Sequence, residues 1–194
     1  PSVEADVEVL RLAIDLLRSL DITEFQINLG EVGFVRPLLA DLPAEASSSL
    51  RGAIDRKDRA ELAEAVRRWQ PETKIARALV ELPTLIGRRE MLERARDLAV
   101  GSEALTAIER LQQIDDALSP AERGHVVYDL GEIRGLGYYT GIQFEIFVAG
   151  LGRAAGYGGR YDRLLALYGL DRPAVGLALE TDSLADLLAA EGRV

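Results

Sequence analysis

Two stretches of alternating hydrophobicity are separated by close to ninety residues of helical text, from Val32 to Ser119. That order of periods leaves an α+β architecture with an inserted or adjoining helical sub-domain as the consistent class. Before the gap, Val3, Val7, Leu10, Ile14 and Leu17 recur at helical spacing among acids and arginines, predicting an amphipathic helix over 3–19. After Asp21 the period changes. Phe25, Ile27 and Leu29 alternate with Gln26 and Asn28, as in a half-buried strand ending at Gly30.

Inside the gap, prolines at 37, 43, 71, 83 and 120 punctuate helices expected over Lys57–Trp69, Leu92–Leu98 and Ala104–Leu118. Ala46-Ser47-Ser48-Ser49 is expected as a loop or cap. Strand grammar returns at Val126–Leu130 and at Ile142–Ile146, where Ile142, Phe144 and Ile146 share one face and Gln143 and Glu145 the other. Tyr161–Tyr168 reads as a short helix, Pro173–Leu179 as a buried central strand, and Ser183–Ala190 as a closing helix. Strands joined by short glycine turns favour an antiparallel sheet.

The net charge of −9 argues against nonspecific nucleic-acid binding, which draws its affinity from Lys and Arg on phosphates. The pairs Arg67-Arg68 and Arg88-Arg89 are interleaved with acids and read as solvated helix faces. The absence of Cys removes disulfides and thiolate metal sites, and one histidine, His125, does not make a zinc constellation. His125 reads as a polar residue at the approach to a strand. No run is apolar enough for a membrane span, no signal-peptide pattern opens the chain, and no metal or cofactor is expected.

Two segments concentrate chemistry. Arg134-Gly135-Leu136-Gly137-Tyr138-Tyr139-Thr140-Gly141 sets a cation beside two phenols between glycines. Such a set suits a small zwitterion, with guanidinium to carboxylate and hydroxyl to a polar side chain. It equally suits a glycine-rich hairpin whose tyrosines only pack. Gly156-Tyr157-Gly158-Gly159-Arg160-Tyr161-Asp162 repeats the pattern. The two segments could line opposite walls of one pocket, or the second could be a turn into a helix with Asp162 near its N-terminus. The carboxylates Asp129, Glu132 and Glu145 near them read as solvated or ion-paired groups. Gly135, Gly137 and Gly141 miss the dinucleotide spacing and precede a strand, so no phosphate-binding loop is supported.

The first segment resembles the first histidine-binding motif of histidyl-tRNA synthetases, usually R-G-L-D-Y-Y-T-G, and Tyr157–Asp162 resembles the second, A-G-G-R-Y-D. Pro173-Ala174-Val175-Gly176 is similar to the entry into the third class II motif, and the opening through Asn28-Leu29-Gly30 resembles the segment after motif 2. The resemblance covers nearly the whole chain and is weakest in the helical part. It implies a class II aminoacyl-tRNA synthetase-like antiparallel sheet with flanking helices. The implied parts are the start of the core over 1–36, a helical insertion over 37–122, and the rest of the core over 123–194. Motifs 1 and 2 are not found, as expected of a piece of a longer chain.

Two departures bear on activity. Where a synthetase motif continues G-L-E-R-L, this chain has Glu180-Thr181-Asp182-Ser183-Leu184, with Ser183 at the place of the arginine that grips ATP phosphates. A neutral hydroxyl cannot replace a guanidinium opposite triphosphate. Gly137 replaces the usual aspartate of the first motif. The chain in these respects resembles the paralogous regulatory subunits of ATP phosphoribosyltransferase. Asp129-Leu130-Gly131-Glu132-Ile133-Arg134-Gly135 and the phrase Phe25–Phe34 look like their wording.

That resemblance implies a non-catalytic, cytoplasmic, allosteric subunit in histidine biosynthesis. Its partners would be the short-form catalytic subunit and a second copy of itself, with L-histidine as a candidate ligand and neither nucleic acid nor membrane. Arg134, Tyr138, Tyr139, Gly159, Arg160 and Tyr161 would mark the inherited histidine-like pocket, and Ser183 the lost ATP position. The alternatives are a truncated or divergent histidyl-tRNA synthetase and a stand-alone histidine-binding module.

Overall fold

A computed structural model describes residues 2–133, 137–190 and 192–193. The opening helix, α1 (Val3–Ser19), starts at Ser2, whose hydroxyl accepts the Ala5 N–H, and it carries Glu4 and Asp6 in its first turn. Both features favour a helix N-terminus. Strand β1 (Phe25–Glu31) runs directly into α2 (Val32–Leu39). Helices α3 (Ala44–Asp55), α4 (Arg59–Trp69) and α5 (Thr73–Glu81) follow, then β2 (Ile86–Gly87), α6 (Glu90–Arg96), α7 (Gly101–Ala117) and α8 (Pro120–Arg123). The chain continues as β3 (Val126–Asp129), β4 (Ile142–Val148), β5 (Gly156–Arg160), β6 (Val175–Leu179) and α9 (Thr181–Ala190). None of these helices is long and apolar enough to cross a membrane.

The strands form one sheet in the order β2-β3-β1-β4-β5-β6. Every adjacent pair is antiparallel except β1 and β3, which run parallel. The expected antiparallel sheet is therefore a mixed one. A parallel pair needs a long crossover, and here the helices from α2 to α8 supply it. The two-residue β2 has too little pattern to be read from sequence.

Strand register sorts the side chains into two faces. Ile27, Leu29, Val126, Tyr128, Phe144 and Ile146 share one face, which α1 and α7 cover. All six are buried. The other face carries two rows across the sheet. One is Asn28, Glu145, Tyr157 and Ala178; the next is Gly30, Gln143, Gly159 and Gly176. Gln143 and Glu145 lie opposite the apolar set as expected, yet both are buried.

Three local expectations are corrected. Ala46–Ser49 lies inside α3, where Ala46 and Leu50 point into the core and Ser48 and Ser49 face solvent. A serine run is compatible with a helix when only its outer face is polar. Pro173–Leu179 gives the edge strand β6, half-exposed rather than central. Tyr161–Tyr168 contains only a 3₁₀ turn at Leu165–Tyr168, closed by Gly169 at φ +84°.

His125 stacks on Phe25, with ring centroids 3.9 Å apart, and its Nδ1 lies 3.2 Å from the Phe25 carbonyl oxygen. This agrees with a polar residue at the approach to β3. Of the arginine pairs, Arg67 and Arg68 make surface ion pairs with Glu64 and Glu45. Arg89 does more: it reaches the buried Asp115, which also accepts the Tyr128 hydroxyl at 2.9 Å.

Candidate functional site

The glycine row makes the floor of the site. A Cβ at Gly159 would stand 2.6 Å from the Ile142 carbonyl oxygen and 2.6 Å from the Tyr139 ring. A Cβ at Gly176 would stand 2.7 Å from the Tyr161 hydroxyl. Any side chain at either place would occupy the space where these phenols lie. The missing Cβ atoms thus open a depression, and Tyr139 and Tyr161 settle into it.

Tyr138 joins them. Its ring centroid lies 4.1 Å from that of Tyr139 and 6.2 Å from that of Tyr161, while Tyr139 and Tyr161 are 6.4 Å apart. The two longer separations are attractive tilted-ring distances, and Tyr138 and Tyr139 stack more closely still. The two glycine-rich segments therefore do meet. Thr140 N–H donates to the Arg160 carbonyl at 2.7 Å, and Asp162 N–H donates to the Thr140 hydroxyl at 3.0 Å. Together they bound a cavity of about 490 Å³ whose walls include Tyr138, Tyr139, Tyr157 and Tyr161.

A smaller, adjoining hollow of about 230 Å³ shares Tyr138, Tyr139 and Tyr157, and adds Glu132, Gln143 and Glu145. Glu132 and Glu145 are 8% and 5% exposed, so of the two expected states, solvated or ion-paired, burial excludes the solvated one. Asp129 is ion-paired, to Lys57 at 2.8 Å. Burial first, and then the hydrogen bond to Tyr138, raises the Tyr139 pKa far above the ordinary phenol range. Tyr139 consequently stays a neutral phenol.

The expected pocket residues separate in space. Tyr138, Tyr139, Gly159 and Tyr161 come together. Arg134 lies outside the described residues. Arg160 is buried behind the floor, on the core face of β5. Its Nε donates to Asp6 Oδ1 at 2.8 Å, its Nη1 to Asp162 at 2.9 Å, and its Nη2 to the Ser2 carbonyl at 3.1 Å. Arg110 engages the second Asp6 oxygen at 2.6 Å. Burial opposes the Arg160 charge, but Asp6 and then Asp162 outweigh it and raise the pKa. Ser183 is buried in the first turn of α9, where it accepts a hydrogen bond from Arg153 at 2.5 Å, and it does not line the tyrosine cavities.

Sequence reasoning did not anticipate Asp6 as the partner of Arg160, because 154 positions separate them. Tyr157 carries a visible signal, a large phenol between two glycines in a strand.

Beside Arg160 sits a further buried acid. Glu31 caps α2 by accepting the Gly33 N–H at 2.8 Å, and burial pushes its carboxyl up to about 7 against that bond and the Arg36 and Arg110 charges. With a folded value above the unfolded one, its stabilising contribution is full below pH 4.5 and is lost as pH rises through 7. Glu31→Gln keeps the acceptor without the titration. In urea unfolding the variant matches the parent at pH 4 and exceeds it by about 3 kcal/mol at pH 8.5. A pH-independent difference would show that Glu31 ionises normally.

The sequence matches a family model described as histidyl-tRNA synthetase over residues 1–184. An ATP phosphoribosyltransferase regulatory subunit from Syntrophotalea carbinolica is 42% identical over 178 residues, covering 90% of this chain and 42% of that protein. The chain spans about half the length, or somewhat less, of the curated relatives it matches. Among solved structures, an ATP phosphoribosyltransferase regulatory subunit/histidyl-tRNA synthetase from Bacillus halodurans superposes with a TM-score of 0.86 at 30% identity, over 95% of this chain and 50% of that one. An ATP phosphoribosyl transferase complex from Thermotoga maritima gives 0.72 at 19% identity, over 92% and 61%, and at that identity it speaks for the fold alone.

Proposed function

The chain belongs to the histidyl-tRNA synthetase family, and from that membership we propose that its parent protein is a non-catalytic regulatory subunit of ATP phosphoribosyltransferase. In this reading it acts at the first step of histidine biosynthesis and docks the short-form catalytic subunit. It self-associates as a dimer, works in the cytoplasm, and relays L-histidine feedback through the tyrosine cavity.

The observation that carries the reading is a tyrosine cage of amino-acid size in a chain that has the neutral Ser183 at the triphosphate-gripping position of the motif. Tyr138, Tyr139 and Tyr161 surround a glycine floor, and the stems of Glu132 and Glu145 line the adjoining, mainly apolar hollow, with their carboxylates just behind its wall. Carboxylates suit an ammonium or imidazolium group, and aromatic faces attract cations. By the motif resemblance alone, Arg134, which lies outside the described residues, is the candidate partner for a ligand carboxylate. Ser183, by contrast, spends its hydroxyl on Arg153 and offers no cation to a triphosphate. The 42% identity to a curated regulatory subunit supports the same choice. Histidine shifts the assembly between states only if it binds them unequally, so the cavity must differ between the active and inhibited forms.

The deciding experiment mixes the full-length parent with a short-form catalytic subunit and follows phosphoribosyl-ATP formation, with histidine-dependent ATP–pyrophosphate exchange alongside. The expected result is strong activation without exchange. Exchange without activation would identify a synthetase, and neither signal would leave a histidine-binding module. In the activated complex, Tyr139→Phe and Arg134→Ala each raise the L-histidine concentration for half-inhibition by about tenfold. Unchanged inhibition in both variants would place the feedback site elsewhere.

A further inference from the structure

Between α3 and α4 the chain turns at Lys57, whose backbone is left-handed at φ +54°. From this turn the Lys57 Nζ reaches across to the end of β3 and donates to Asp129 Oδ1 at 2.8 Å. The carboxylate is almost wholly buried, at 4% exposure, and the lysine is 30% exposed. A pair this shielded from water is coupled more strongly than a surface pair.

Asp129 is the hub of the turn that follows it. Its Oδ1 also accepts the Gly131 N–H at 3.0 Å, and its carbonyl accepts the Glu132 N–H at 3.2 Å. The Glu132 carbonyl in turn accepts the Gln143 amide, which ties the turn to β4. Glu132 and Gln143 line the smaller hollow that shares Tyr138, Tyr139 and Tyr157 with the tyrosine cavity. A second tether runs beside the first, since Leu130 N–H donates to the Leu85 carbonyl at 3.1 Å. The fit is close: a Cβ on Gly131 would stand 3.1 Å from Lys57 Nζ.

We propose that Lys57 is a positioning residue for the ligand cavity, through which the α3–α4 turn sets where Glu132 stands. The ligand half of this inference rests on the amino-acid reading of the cavity given above. Lys57 touches no ligand itself. It acts through one carboxylate and two backbone N–H groups, and any partner that displaces the α3–α4 turn changes the cavity by the same route. By linkage, a ligand in the cavity biases the position of that turn in return.

The test uses Lys57→Met, which keeps the aliphatic stem, and Lys57→Met/Asp129→Asn, which removes the pair without leaving a buried unpaired carboxylate. Lys57→Arg serves as the conservative rescue. Amide hydrogen exchange is read at Gly131 and Glu132 without ligand, and L-histidine binding is read by calorimetry. The expected result is exchange about tenfold faster at those two amides than in the parent, β4 amides unchanged, and L-histidine bound about tenfold more weakly. Lys57→Arg restores both. If either disrupting variant folds with unaltered exchange and affinity, the positioning role is wrong. Should the parent itself bind no L-histidine, the amino-acid reading of the cavity fails, and exchange at Gly131 and Glu132 still decides the role of Lys57.

Discussion

Asp6→Ala lowers the unfolding free energy by about 3–5 kcal/mol, the range for breaking a buried ion pair from one side. Asp6 is fully buried on α1 and holds Arg160 with one oxygen and Arg110 with the other. Arg160 is itself 3% exposed. Removing the carboxylate leaves a guanidinium inside the protein with Asp162 and the Ser2 carbonyl as its side-chain hydrogen-bond partners among the described residues. Arg110 is closer to water and loses less. Asp6→Asn keeps acceptor geometry on one oxygen and falls between the parent and Asp6→Ala. Urea unfolding followed by circular dichroism measures all three. A loss below about 1 kcal/mol for Asp6→Ala would mean that water reaches Arg160 and that the pair is a surface one.

Gly159→Ala strikes both the sheet and the cavity. Its new methyl would sit 2.6 Å from a β4 backbone oxygen, which no side-chain rotation relieves, and 2.6 Å from the Tyr139 ring. Overfilling of this kind costs about 1–3 kcal/mol, and more where backbone must move. The ring contact is relieved when Tyr139 swings off the floor, which parts it from Tyr138 and Tyr161, while the backbone contact forces β5 to shift against β4. The expected outcome is therefore a folded but weaker protein with L-histidine binding lost. Gly152→Ala is the control, because a Cβ there meets nothing within 4 Å. Normal binding by Gly159→Ala would place the ligand away from the glycine floor.

Much of this arrangement is legible in the chain. The change of period after Asp21 announces α1 and β1, because a helix and a half-buried strand sort apolar residues differently. The two glycine-rich segments announce the cavity, since tyrosines beside glycines have room to lie flat on a sheet. What sequence could not supply is distance across the fold. Asp6 reads as an ordinary first-turn acid of an amphipathic helix, and nothing local couples it to Arg160. The uncharged run Val175–Leu179 has no charged face and therefore looks central, but the number of neighbouring strands is a property of the sheet. Nothing local in the sequence says whether Glu132 and Glu145 are solvated or ion-paired. Their burial depends on loops and strands brought together from elsewhere in the chain.

The position of β1 bears on how the chain comes off the ribosome. Both of its neighbours, β3 and β4, are made after the helices that follow it, beginning at Val126. At typical elongation rates the completed β1 waits about 5–20 s before either partner exists. Throughout most of that interval Phe25, Ile27 and Leu29 lack the cover that α7 gives β1 in the finished fold, and both edges of the strand are open to other nascent chains. A slowed ribosome between α2 and β3 lengthens this exposure, so clustered rare codons there lower soluble yield without changing a residue of the folded protein.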